Sequence, residues 1–187
     1  MNLTLPNLLS LLRMGLTPIF VIAVVDGKPL RALLIFGVAG ITDALDGFIA
    51  RTLGQKSLLG AYLDPIADKL LLMSAYVTLA IPGLHPGVLI PLWVTILVIA
   101  RDVVIVVVAL ILYLAVGVSR FPPTPLSKVN TAVQVGAAVV VLATGFLPVF
   151  DELAVRAIHA VAALTILSGV SYILVANRLG AAARPAG

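Results

Sequence analysis

Asp43-Ala-Leu-Asp46-Gly47-Phe-Ile-Ala50-Arg51, eight further residues, then Gly60-Ala-Tyr-Leu-Asp64-Pro-Ile-Ala-Asp68: this stretch carries four of the eight acidic residues in a chain that has few charges of any kind. Of its 187 residues 61% are hydrophobic and 11% charged, and the mean hydropathy is +1.20. That composition belongs to a bilayer and not to a water-soluble domain. A charged side chain at mid-membrane costs about 2.5 to 3.5 kcal/mol, so four carboxylates there point to function or to tight pairing. Asp43 and Asp46 are three apart and Asp64 and Asp68 four apart, so each pair lies on one face of its helix.

Working outward, apolar runs separated by Gly, Pro and charge predict six helices, over residues 7–25, 30–51, 60–80, 87–116, 127–148 and 152–177. The fold expected is an all-α integral membrane protein, a bundle of six transmembrane helices in a single domain over 1–187 with no separate soluble part. Lys and Arg in the short loops set the orientation. With the N-terminus inside, Arg51, Lys56, Arg120, Lys128, Arg178 and Arg184 are cytoplasmic, against Lys28, Arg31 and Arg156 outside. Both termini and the aspartates then face the cytoplasm. The net charge of +4 comes from basic residues scattered singly between apolar runs, which suits membrane lipids as partners and gives no nucleic-acid signal. His85, Trp93 and Tyr113, near predicted helix ends, are expected at the membrane interface. No transit-like leader precedes the first apolar run, which favours a bacterial plasma membrane.

Four carboxylates on two facing helix ends form a cage whose mutual repulsion calls for cations. Oxygen-only ligands suit hard ions, Mg2+ or Mn2+, and four of them are enough to bridge two ions across a phosphoryl transfer. With no cysteine, thiolate ligands and thiol nucleophiles are excluded. One alternative is that the aspartates only pair with Arg51, Lys69 and Arg101. A second, from another class, is a divalent-cation transporter, because an acidic cage inside a membrane also suits ion passage.

The full spacing, D-x2-D-G-x2-A-R-x8-G-x3-D-x3-D, resembles at every fixed position the signature of the CDP-alcohol phosphatidyltransferases. The resemblance implies a six-helix bundle, usually a homodimer, that displaces CMP from a CDP-linked lipid by attack of an acceptor hydroxyl. Carried onto this chain it implies that Asp43, Asp46 and Asp64 bind one metal ion and Asp43, Asp64 and Asp68 the other, with Asp68 also the general base. Gly47, Arg51 and Ser57 match positions that contact the CDP moiety. Physically, Gly47 leaves room for a diphosphate beside Asp46, and Arg51 has a fork of donors suited to phosphate.

Resemblance also narrows the acceptor. The opening Pro6-Asn7-Leu-Leu-Ser10-Leu-Leu-Arg13 is similar to the substrate-binding segment of the phosphatidylglycerol-type branch, which adds Asn7 and Ser10 to the CDP-lipid contacts. Arg101-Asp102 followed by Ser127-Lys128-Val-Asn130-Thr-Ala-Val-Gln134 resembles the eukaryotic-type, CMP-forming cardiolipin synthases. The implied donor is CDP-diacylglycerol and the implied acceptor phosphatidylglycerol, with cardiolipin and CMP as products. Glycerol 3-phosphate, the acceptor of phosphatidylglycerophosphate synthases, is the alternative. Arg101, Lys128 and Arg13 are the cations expected to hold an acceptor phosphate, with Asn130 and Gln134 adding hydrogen bonds.

Overall fold

The computed structural model describes residues 5–52, 58–116 and 125–182, with side chains described for 7–43, 45, 66–108 and 125–174. Six α-helices follow one another: α1 Leu5–Val25, α2 Pro29–Thr52, α3 Leu58–Ala80, α4 Leu92–Val116, α5 Pro125–Thr144 and α6 Asp151–Ala182. A short 3-10 turn, Pro148–Phe150, leads into α6. There is no strand among the described residues.

Consecutive helices are not always neighbours. α1 packs along both α2 and α3, while α2 and α3 barely touch each other among the described residues. In the second half α6 lies against α4 and α5, and α2 and α3 reach across to α5. Two three-helix groups therefore share one core, filled by Phe20, Phe36, Tyr76, Leu79, Val98 and Leu142. The Phe20 and Phe36 rings meet at a centroid distance of 5.7 Å and an angle of 51°, within the range of favourable tilted aromatic pairs.

Many large apolar side chains point outward, among them Leu34, Ile41, Val106, Ile166 and Leu167. Such an apolar exterior is expected where lipid replaces water. By length and composition, Asn7–Val25, Pro125–Thr144 and Pro148–Leu174 each qualify alone as membrane-crossing segments. The chain is an integral membrane protein built of helices.

The α1–α2 junction shows how sequence closes one helix and opens the next. Gly27, at φ +65°, sends its N–H to the Val24 carbonyl at 2.9 Å, and Lys28 sends its own to Ala23 at 3.0 Å. This pair of bonds satisfies the last carbonyls of α1 in the manner that a left-handed glycine permits. Pro29 then opens α2, where its missing N–H is no loss.

Three helix limits differ from those expected by four residues or more, and one is the end of α6, which runs to Ala182 and not to 177. α4 starts at Leu92 and not at 87, because Pro91 holds Ile90 out of helical conformation and provides the first turn's acceptor to Val94 at 2.9 Å. Ile90 instead donates its N–H to the Leu79 carbonyl at 3.0 Å. α5 stops at Thr144, short of 148, because the chain turns at Gly145. A Cβ on Gly145 would lie 2.5 Å from Pro29 Cβ, and one on Gly87 would lie 2.7 Å from the backbone of Thr144 and Gly145. Only bare glycine backbone fits such an approach.

His85, in the loop between α3 and α4, sits buried in this knot. Its Nε2 donates to the Val141 carbonyl at 2.9 Å, and Thr144 Oγ accepts from the Val88 N–H at 2.9 Å. The first bond gives a partner to a carbonyl at the end of α5, where helical ones are lacking, and the second gives one to an N–H of the loop before α4. Burial pushes the His85 pKa below its ordinary 6.5, against the opposing pull of the Val141 hydrogen bond. The neutral ring's contribution is therefore complete above pH 6.5 and is lost as pH falls through the lowered value of the folded protein. Thermal unfolding in detergent should show this as an acid-side loss of stability that His85→Gln reduces. An unchanged pH profile in the variant would remove His85 as its source.

Candidate active site

The inward face of α1 is polar at one end and apolar at the other. Asn7, Ser10, Arg13 and Thr17, spaced by three or four residues, are all buried, and Phe20, Ala23 and Val24 continue the face as core. Because α1 lies between α2 and α3, that polar end meets the aspartates. Arg13, 1% exposed, places Nη1 at 2.9 Å from Asp43 Oδ1 and pairs through the same nitrogen with Asp68 Oδ1. The two carboxylates are half exposed, at 46% and 48%. They open into a cavity of about 180 Å3 that Lys69 and Thr131 also line.

Facing aspartates were expected; the arginine between them was not. Two carboxylates converging on one cationic nitrogen define a point where positive charge is stabilised, and their hard oxygen donors fit a divalent ion. Asp46 and Asp64 stand about one turn away in the same helices. Asp46, Gly47, Arg51, Asp64 and Tyr113 lie outside the residues whose side chains are described, and Ser57 lies outside the described residues altogether.

A second polar centre stands beside the first. Arg101, buried on α4, donates through Nη1 to Asp102 at 2.7 Å and through Nη2 to Ser127 of α5 and Ser168 of α6. One guanidinium thus ties three helices together. Asp102 also receives the ammonium of Lys69 from α3. Lys69, Arg101, Asp102, Ser127, Thr131 and Tyr172 line a cavity of about 210 Å3. Lys69 and Thr131 border both cavities, so they form the wall between them.

The expected acceptor residues separate into groups. Arg101 lines the second cavity, and exposed Lys128 lies on the adjoining groove of α5 with Ser127 and Thr131. Arg13 belongs with the aspartates. Asn130 and Gln134 are fully buried and turn toward α6: Thr165 donates to Asn130 Oδ1 at 3.2 Å and accepts from Gln134 Nε2 at 3.4 Å. Tyr76 of α3 adds a bond to the Gln134 carbonyl at 3.1 Å. Asn130 Nδ2 and Gln134 Oε1 have no hydrogen-bond partner among the described residues.

Sequence reasoning missed Thr165, Ser168 and Tyr172 as parts of the site, and Lys69 as its dividing wall. A signal was present. Thr165, Ser168 and Ser171-Tyr172 recur at helical spacing in an otherwise apolar helix, which marks a polar stripe.

An apolar bundle of helices with converging carboxylates and a second, cationic pocket defines an integral membrane protein built to handle charged groups at its core. Comparison with known proteins gives the class. The sequence model of CDP-alcohol phosphatidyltransferase matches residues 3–175. The chain is 39% identical over 166 residues to the cardiolipin synthase (CMP-forming) of Rattus norvegicus and to that of Homo sapiens. Those alignments cover 79% of this chain and 52% of each relative, so the chain spans about half the length of these two proteins. A probable phosphatidylglycerophosphate synthase of Mycobacterium tuberculosis is 36% identical over 186 residues, covering 93% of this chain and 82% of the relative. The chain belongs to the CDP-alcohol phosphatidyltransferase family, whose members are CMP-releasing transferases and use divalent metal ions.

Replacing Arg13 tests the first centre. Arg13→Gln should lower unfolding stability without metal by about 2 kcal/mol, less than for a fully buried pair because both carboxylates are half exposed. Added Mg2+ should recover part of the loss. Wild-type stability in metal-free buffer would show that the bridge holds nothing.

Proposed function

We propose that this protein transfers the phosphatidyl group of CDP-diacylglycerol to phosphatidylglycerol, giving cardiolipin and CMP. The observation that carries the reading is the paired site: Asp43 and Asp68 converge at one cavity, and a cationic cavity adjoins it across Lys69 and Thr131. Donor chemistry and acceptor anion then have neighbouring places.

In this scheme Asp43, Asp46, Asp64 and Asp68 hold the metal, with two ions and Mg2+ or Mn2+ as the ion. Bound there, divalent metal neutralises the diphosphate and the departing CMP. Asn7, Ser10, Gly47, Arg51 and Ser57 bind the CDP-lipid. The acceptor hydroxyl attacks the phosphatidyl phosphorus, a new O–P bond forms, and the bond to the CMP oxygen breaks. Asp68 accepts the hydroxyl proton. Arg101 and Lys128 attract the acceptor's phosphate. Asn130 and Gln134 act through α6, holding α5 in register, and Arg13 keeps Asp43 and Asp68 together before metal binds. The protein is taken as one domain of six spans, a homodimer, with the site on the cytoplasmic side as the loop charges indicate.

Transfer to glycerol 3-phosphate is the second reading, supported by the Mycobacterium tuberculosis relative and its coverage of most of the chain. Family membership gives no support to a cation transporter.

Purified protein with CDP-diacylglycerol and Mg2+ should be offered phosphatidylglycerol and glycerol 3-phosphate in parallel. Cardiolipin and CMP from the first are expected, whereas phosphatidylglycerophosphate from the second alone would sink the proposed acceptor. Asp68→Asn should abolish turnover, a loss on the order of a hundredfold or more for a removed base, while CDP-lipid still binds. Retained activity would exclude Asp68 as the base.

A further inference from the structure

Lys69 follows Asp68 directly in α3, and the two side chains leave the helix about 100° apart. Asp68 turns to Arg13. Lys69 turns to Asp102 of α4, yet it still borders the cavity onto which Asp43 and Asp68 open. A lysine ammonium on a flexible four-carbon stem beside several carboxylates competes with any metal that those carboxylates bind. Something must hold it elsewhere.

Asp102 is suited to that task. It is 7% exposed, so its charge has little access to water and depends on protein partners. Arg101 satisfies one oxygen, Oδ1, at 2.7 Å, and Lys69 takes the other, Oδ2. Arg101 is itself fixed on its far side by Ser127 and Ser168, so Asp102 has a rigid support on α4 and draws Lys69 toward it. Two cations share one carboxylate here, which leaves the second cavity with a positive charge in excess. The neighbouring cavity has two carboxylates on one arginine and a negative charge in excess. The partition between opposite fields runs through Lys69.

We propose that Asp102 is a positioning residue that holds the Lys69 ammonium on the acceptor side of this partition. There it meets the acceptor's phosphate and stays clear of the metal-binding carboxylates. The metal part depends only on those carboxylates, and the acceptor part rests on the function proposed above.

Binding of Mn2+ to the full-length protein in detergent, followed by the electron paramagnetic resonance of the free ion, reads the first part without turnover. Asp102→Asn should weaken Mn2+ binding about tenfold, as expected when a contact worth a unit or two of RT ln 10 is broken and a competing cation is released. Lys69→Gln should bind Mn2+ within about twofold of wild type, and the double variant should return to that level. A purely structural role for Asp102 would not be rescued by removing Lys69. Wild-type Mn2+ binding in Asp102→Asn, or a double variant no better than Asp102→Asn, would overturn the proposal. Should Asp102→Asn fail to fold, Lys69→Gln decides alone. Its half-saturating acceptor concentration should rise about tenfold while that of CDP-diacylglycerol stays fixed, and an unchanged acceptor value would overturn the proposal. If wild type releases CMP with neither acceptor, the functional reading fails and the Mn2+ comparison still judges Asp102.

Discussion

One guanidinium organises the first half of the molecule. Arg13, buried on α1, reaches Asp43 on α2 and Asp68 on α3 through a single nitrogen. Among the described residues the helices that carry the aspartates barely touch each other, and α1 packs against both. Without a cation at that point, two carboxylates at the edge of an apolar core would repel each other and face a desolvation cost that half-exposure only reduces. Arg13 fills that position in the structure, and a divalent ion with hard oxygen ligands fits the same electrostatic demand.

The second half repeats the device with a different geometry. Arg101 binds Asp102, Ser127 and Ser168, so that α4, α5 and α6 meet at one side chain. Such polar ties give particular partners to helices whose apolar surfaces pack against each other and against lipid without strong preference. Asn130, Gln134 and Thr165 add a second tie between α5 and α6. At the opposite end His85, Thr144 and the close backbone approach at Gly87 and Gly145 close the bundle. Polar chemistry thus sits at several levels of the core, and the part around Lys69 opens into two adjoining cavities.

The architecture was largely legible. Apolar runs broken by Gly, Pro and charge gave the helices and their order, because a backbone in lipid must satisfy its hydrogen bonds within each span. Limits slipped where proline acts on its predecessor, at Ile90 before Pro91, or where a turn is set by a distant contact, as at Gly145 beside Pro29. The burial of His85 depends on the end of α5, 56 residues away along the chain, which no local pattern carries. The site was legible in part. Spacing alone put Asp43 with Asp46 and Asp64 with Asp68, and the family pattern named the chemistry. Nothing local to Arg13 told that it belongs with the aspartates, nor that Asn130 and Gln134 turn to Thr165.

The sequence by itself determined that this is an all-helical membrane protein with carboxylates paired at helical spacing, because composition and periodicity are properties of each segment. Tertiary structure decided the partners. Arg13 joins the aspartates because α1 lies between α2 and α3, and Lys69 leaves Asp68 for Asp102 because α3 meets α4 on its other face. Those pairings depend on which helices are neighbours, a relation between distant segments that no single stretch of sequence contains.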